Sequence, residues 1–414
     1  MKSDRVIVTN TLYQVLGKVA TSVFGFISIY FLTRHLGSIT FSEYSFIIAY
    51  VGFVTILTDF GLTPYLIREI ASDRDKSDIL TSVAFTARGV LSVFASVVFL
   101  LLIYILPYSS AIRIGVAVGL ISQIFLNLSL IIWSVFQARL KFQKMMAAQV
   151  ATSFILLLLT LLGVYLKLSL LYFIWSIAGS VFIGFIVSLS LMKGAALRLN
   201  FDFKLLRETL RRSLSFGIWV VVATLYFKID TLILSFFFNP STTPDVGYYS
   251  LAYRFFEVSV VFGGFFTQTL YPYFSQILKT TQFKHQAKRY LLWTFIVASL
   301  TAAATIALAK PAILLVAGSQ YQQAVLPLFV LSGATFASVM SGFFIAIAFA
   351  AHKQKQVLKF GVFALFVNIL GNLLLIPHMA SMGAAATTVV TQSIVCVANA
   401  YIAWQVYRGI IHES

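Results

Sequence analysis

The sequence predicts an all-α integral membrane protein of about twelve transmembrane helices in two six-helix bundles. Two observations carry that prediction. Of the 414 residues, 60% are hydrophobic and only 10% are charged, against roughly half and a quarter in soluble domains. The apolar residues also fall in continuous runs of about 20 or more, the length a helix needs to cross the hydrocarbon core. A membrane barrel would alternate apolar and polar residues in segments of about ten, and no such alternation is present. The single cysteine, Cys396, rules out a disulfide framework, and the five histidines, His35, His285, His352, His378 and His412, show no ligand spacing.

Read between charged or Pro/Gly-rich breaks, the first six spans lie near Thr9–Phe31, Phe41–Leu66, Leu80–Leu106, Ile112–Gln137, Gln149–Leu166 and Leu170–Met192. The first follows Lys2 and Arg5 as a signal peptide would, yet reaches about Phe31 without a small-x-small cleavage site, so it reads as a retained helix. The second six lie near Leu214–Phe238, Gly247–Phe274, Tyr290–Leu308, Ala324–Ala350, Val357–Ile376 and Gly383–Tyr407. Between the sets, Phe203, Leu206, Leu210 and Leu214 share one helical stripe, with Lys204, Arg207 and Arg211 on the others and Asp202 placed as an N-cap. That pattern predicts a short helix lying in the interface against anionic lipid head groups. The expected organisation is thus 1–193 as an N-terminal bundle, 194–213 as a cytoplasmic linker with an amphipathic helix, and 214–414 as a C-terminal bundle.

With a cytoplasmic N-terminus, this layout puts 22 of the 30 Lys and Arg in cytoplasmic segments and only Arg34, Arg113, Lys167 and Lys310 on the opposite face. Such an asymmetry predicts that both termini are cytoplasmic. The net charge of +17 is therefore mostly topological. Its dispersal over short loops leaves no folded basic face for nucleic acid.

The halves share a phrase. Tyr44-Ser45 with Ala49-Tyr50 recurs as Tyr249-Ser250 with Ala252-Tyr253, and Pro64-Tyr65 recurs as Pro272-Tyr273. Six spans return the chain to its starting face, so the repeats are expected to be parallel, related by a pseudo-two-fold axis along the membrane normal. Two such bundles with a cleft between them are a transporter layout.

Charged side chains inside the spans are the candidate site. Each costs roughly 2.5 to 3.5 kcal/mol at the bilayer centre when it faces lipid. Lys18, Asp59, Lys228, Asp230, Arg254 and Glu257 are therefore expected to face the interior or water, as candidates for lining a substrate cavity. Lys18 stands near the middle of the first span with no acid in that span, either offered to an anionic ligand or paired with Asp59. Lys228, Asp230, Arg254 and Glu257 lie at depths where the seventh and eighth spans let them meet, and Arg254 and Glu257 are an i,i+3 pair. Arg88, one to two turns from the cytoplasmic surface, is expected to snorkel. Asn10, Gln123, Asn127, Gln268, Asn368, Asn372 and Gln392 read as interhelical hydrogen bonds. Asp73-Arg74-Asp75 has Asp-x-Asp spacing but sits in a short loop, and no Gly-Lys-Ser/Thr phosphate loop is present, so ATP is not the direct energy source.

In their order along the chain, several phrases are similar to one known family. They are Thr9-Asn10-Thr11-Leu12-Tyr13 with Gly17-Lys18, Thr33-Arg34-His35-Leu36-Gly37, Asp59-Phe60-Gly61-Leu62, Val246-Gly247-Tyr248-Tyr249-Ser250 with Ala252-Tyr253-Arg254, Ile376-Pro377, and Met382-Gly383-Ala384-Ala385-Ala386. The chain resembles the Wzx-type polysaccharide flippases of the multidrug/oligosaccharidyl-lipid/polysaccharide exporter superfamily. It departs from their pattern after Asn239, where Pro-Ser-Thr-Thr-Pro replaces a short Gly-containing loop. The resemblance implies a MATE-like fold in a bacterial cytoplasmic membrane and no enzymatic activity. It also implies a substrate, an oligosaccharide on undecaprenyl pyrophosphate, moved from the cytoplasmic to the periplasmic face for O-antigen, lipopolysaccharide or related polymers. Membrane lipids and polysaccharide polymerase machinery are the implied partners; no cofactor is implied, and coupling to protons or sodium is open. A multidrug exporter and a lipid II flippase share the superfamily, the former usually with carboxylates in its first-half helices and the latter more often with fourteen spans. A membrane glycosyltransferase or polymerase would need a larger outer segment than Ala309 to Gln323.

Overall fold

The computed structural model describes residues 2–73, 77–192, 202–278, 280 and 282–412. Arg74, Asp75, Lys76, Lys279 and linker residues 193–201, with Lys193 and Arg198, lie outside them. Among the described residues every regular element is helical. Eight helices are long and apolar enough to cross a membrane, which makes this a multi-pass membrane protein.

By internal contacts the chain forms two compact units, Met1–Thr224 and Leu225–Ser414. The first begins with α1 (Lys2–Asp59), which is bent at Gly37, where φ is 73°. Glycine adopts that conformation without steric cost, so one long element supplies two rods. After Asp59 the chain turns through Phe60 and Gly61, both at positive φ, into the short α2 (Leu62–Ser72). Four helices follow: α3 (Ser77–Ile105), α4 (Ser110–Ala138), α5 (Phe142–Tyr165) and α6 (Leu170–Leu191). A core of Leu66, Ile70, Leu80, Ile131, Phe136, Met145 and Phe185 packs α2 to α6 together.

α7 (Phe203–Phe237) starts in the first unit and ends in the second. Asp202 caps it, its Oδ1 accepting from the amides of Lys204 and Leu205 at 3.0 and 3.1 Å. The amphipathic stripe of the connection is therefore the first part of one unbroken helix continuous with the next span. Gly217 passes against the turn after α1, and a Cβ there would lie 2.7 Å from the Phe60 carbonyl.

The second unit continues with α8 (Asp245–Gln268), α9 (Leu270–Ile277), α10 (Gln282–Ala317), a 3-10 turn at Ser319–Ala324, α11 (Val325–Ala350) and α12 (Gln354–His412). α12 breaks at Ala380, where φ is 48°, just beyond Pro377. Leu270, Phe274, Phe283, Phe343, Ile347 and Val406 form a hydrophobic core that joins α9, α10, α11 and α12. The repeated phrase has a local structural counterpart. Leu62-Thr63-Pro64-Tyr65 and Leu270-Tyr271-Pro272-Tyr273 each open a short helix, α2 and α9. Proline suits that first turn, whose amides have no intrahelical acceptor.

Three tight turns end on the same device. The amides of Lys141, Leu168 and Lys353 reach back to Phe136, Gly163 and Ala348 carbonyls at 2.7, 2.9 and 2.8 Å. In each, the preceding residue, Leu140, Lys167 or His352, is left-handed. This is the helix-ending motif that glycine usually occupies, built here with ordinary residues.

Candidate functional site

Among the described residues two buried carboxylates organise the polar interior, one in each unit. Asp59 ends α1, and its Oδ1 accepts from Arg88 Nη1 at 2.8 Å and from Thr63 Oγ1 at 2.6 Å. Arg88 Nη1 also donates to Thr63 Oγ1 at 2.9 Å, and Arg88 Nε to Asn127 Oδ1 at 3.3 Å. Thr58 donates to the same Asn127 oxygen at 3.0 Å. Arg88 is fully buried, so it does not snorkel as its position suggested. α3 begins at Ser77, which sets Arg88 about 16 Å along the helix at 1.5 Å per residue. It turns inward because Asp59 is there to compensate its charge. The pairing of Asp59 is thus with Arg88 and not with Lys18, which is exposed. Arg88 Nη2 and Asn127 Nδ2 are buried without a partner among the described residues.

Asp230, on α7, is 1% exposed and is held by neutral groups from three helical segments. Tyr249 of α8 donates its hydroxyl to Oδ2 at 2.7 Å, and Thr388, beyond the break in α12, approaches the same oxygen at 2.8 Å. Asn372, before that break, donates Nδ2 to Oδ1 at 2.7 Å and lies 3.1 Å from Asn368 Oδ1. No cation pairs with Asp230 among the described residues. Both oxygens of the carboxylate are satisfied by hydrogen bonds, but its charge has no opposite charge beside it among the described residues. The oxygens gathered here, with Asn372 Oδ1 buried and unpartnered, fit either a proton or a small hard cation.

The remaining candidates divide. Lys228 Nζ lies 3.8 Å from Glu257 Oε1, and both side chains are nearly half exposed. Arg254, also on α8, makes no ion pair among the described residues, so the expected i,i+3 pair with Glu257 is replaced by the Lys228–Glu257 contact. Lys228 and Asp230 are two residues apart and so about 200° apart around α7, which sends one to the surface and the other to the interior. Of the six candidate residues the structure therefore joins Lys228 with Glu257 and gives each carboxylate its own surroundings. Asn372 makes the interhelical hydrogen bond expected of it. Tyr249 and Thr388 were not anticipated as partners of Asp230. Their signal was faint: Tyr249 belongs to the repeated phrase, and Thr388 is one of several small polar residues in an apolar segment.

Among families, residues 7–278 match the polysaccharide biosynthesis protein family, and the chain belongs to it. No curated protein matches the sequence. Among solved structures, the lipid II flippase MurJ in an inward closed conformation superposes with a TM-score of 0.77 at 13% identity, covering 94% of this chain and 87% of that one. A multidrug resistance MATE family transporter of the MOP superfamily, inward-facing, gives 0.71 at 10% identity, covering 94% and 95%. A mutant of the Vibrio cholerae MATE transporter VcmN gives 0.66 at 17% identity, covering 99% and 97%. The chain therefore has the fold of this transporter superfamily.

Proposed function

We propose that this protein is a Wzx-type flippase that moves an oligosaccharide linked to undecaprenyl pyrophosphate from the cytoplasmic to the periplasmic leaflet, by alternating access, for O-antigen or a related polymer. The reading includes twelve spans, counting the two arms of α1 and of α12 separately, with both termini cytoplasmic. The observation that carries it is the state of the cations within the apolar stretches. Lys18 is exposed, Arg254 has no acid partner among the described residues, and Lys228 is half exposed beside Glu257. Uncompensated cations facing lipid would be costly, so they mark polar surface, and positive polar surface suits a pyrophosphate-bearing substrate. Membership of a polysaccharide biosynthesis family supports the same substrate class. Asp230 is the proposed carrier of the coupling ion, a proton or sodium, because among the described residues it is a fully buried carboxylate without a counter-charge.

A lipid II flippase is the second reading, favoured by the fold match to MurJ; it too would move an isoprenoid pyrophosphate. A multidrug exporter fits the cation pattern less well, since exported drugs are commonly cationic. Depletion of the gene followed by analysis of lipid-linked sugars separates the readings. Complete oligosaccharide units accumulating on the cytoplasmic face support the proposal. Accumulated lipid II moves it to the second reading, truncated units indicate a glycosyltransferase, and unchanged lipids indicate a drug exporter.

A further inference from the structure

The second unit carries a pocket unlike either buried cluster. It has a volume of about 510 Å³ and is lined by Tyr248, Ser319, Gln320, Gln322 and Gln323. None of these five carries a charge. Three are primary amides, a group that carries two N–H donors and a carbonyl acceptor, and Ser319 adds a hydroxyl. Ser319 and the three glutamines are exposed, whereas Tyr248 is buried at 6% exposure.

The amides stand on a fixed support. The 3-10 turn Ser319–Ala324 follows Gly318 and is pinned by Tyr321, which is fully buried. Tyr248, in the first turn of α8, meets the Tyr321 ring edge-on at 6.0 Å and donates its hydroxyl to the Gln320 carbonyl at 3.2 Å. In a 3-10 turn, residues three apart align. Here the turn is broken at Tyr321, where φ is -104° and ψ 16°, so Ser319 and Gln320 stand before the buried tyrosine and Gln322 and Gln323 after it, all four lining the one pocket.

Such a set selects its ligand by chemistry. A phosphate would leave its charge unmatched here, and an apolar ligand would strip water from three amides without replacing their hydrogen bonds. Sugar hydroxyls both donate and accept, as these groups do. We infer that this pocket is a binding subsite for an uncharged saccharide, engaging the glycan part of the transported molecule at the end of the second unit where α10 passes into α11. The inference rests on the flippase reading for its biological ligand; the binding chemistry stands on the pocket alone. In the proposed topology this connection is periplasmic, so the subsite receives glycan that has crossed.

Saturation-transfer NMR tests it. The full-length protein, purified in a detergent without a sugar head group, is mixed with glucose, galactose or N-acetylglucosamine at tens of millimolar. An open polar site of this kind gives a Kd on the order of 1 mM. The expected result is transfer to at least one of the three sugars, with affinity falling about fivefold for each amide removed in the series Gln323→Ala, Gln322→Ala and Gln320→Ala. Thermal unfolding should be unchanged, because these side chains are exposed. Absence of transfer to all three sugars overturns the inference, as does equal binding by the triple variant. The readings fail separately. Sugar binding lost in the triple variant, together with unchanged lipid-linked sugars on depletion, keeps the pocket and removes the flippase. Accumulated glycolipid without sugar binding does the reverse.

Discussion

Among the described residues each unit buries one aspartate, and the two are stabilised in opposite ways. Asp59 is neutralised by Arg88 at 2.8 Å, whose guanidinium also donates to Thr63 and Asn127. Asp230 is surrounded by a tyrosine, a threonine and two asparagines, with no cation among the described residues. The first arrangement is closed: its charge is supplied by the chain. The second has no counter-charge among the described residues, and under the proposed reading it takes a proton or cation from outside. A buried acid therefore indicates function according to what compensates it, and burial alone does not separate the two.

Removing one partner gives the largest effect expected. Asp59→Ala strands the Arg88 charge in the interior and should destabilise the protein by about 3 to 5 kcal/mol. Thermal unfolding of the solubilised protein should show a large loss that the double variant Asp59→Ala/Arg88→Leu largely recovers. Asp230→Asn should cost only about 1 kcal/mol, since it keeps the volume and most hydrogen bonds, and Asp230→Ala strands no cation. If the two aspartates proved equally costly to neutralise, the distinction between them would not hold.

Gly217→Leu forces a side chain into the Phe60 carbonyl and should cost about 1 to 3 kcal/mol by overpacking. Its midpoint in denaturant would report this, and an unaltered midpoint would mean that α7 does not rest on the turn after Asp59. A smaller stability change, below about 1 kcal/mol, is expected for Lys228→Ala, whose ion pair is half exposed. Flipping should nevertheless fall in that variant and in Arg254→Ala. Exchanging Arg254 with Glu257 moves positive charge along α8 by about one turn; normal flipping by the exchanged protein would show that cation position is immaterial there.

The smallest effect belongs to Asp245, before the eighth predicted span. Burial pushes its carboxyl above the usual range, against the pull of its own amide and that of Ser381. A carboxyl with a raised folded pKa favours the folded state below the unfolded value near 4, and that contribution is lost as pH rises through the folded pKa. Asp245→Asn should therefore raise the melting temperature slightly at neutral pH and leave it unchanged at acid pH. A melting temperature equally raised at both would assign the gain to packing.

Much of this was legible in residue pattern. Continuous apolar runs located the long helices, and Asp202 was readable as a cap because its spacing to the following stripe is local chemistry. The breaks at Phe60-Gly61 and at Thr269 were not, because hydropathy continues through them and backbone conformation there is set by packing. α2 and α9 consequently read as ends of longer spans, although their shared Leu-x-Pro-Tyr opening was present in the repeat. The charged residues were visible as anomalies, but their partners depend on side-chain direction. Arg88 illustrates this: nothing in α3 reveals that Asp59 of a different helix lies beside it. The opposite facing of Lys228 and Asp230, by contrast, follows from helical geometry alone.

The coupling role of Asp230 is tested most directly by translocation of the fluorescently labelled oligosaccharide lipid in proteoliposomes under an imposed proton or sodium gradient. Wild-type protein should respond to one of the two gradients, and the folded Asp230→Asn variant should lose that response while an Asp59→Ala/Arg88→Leu protein that retains its fold keeps it. A gradient response preserved in Asp230→Asn would contradict the assignment.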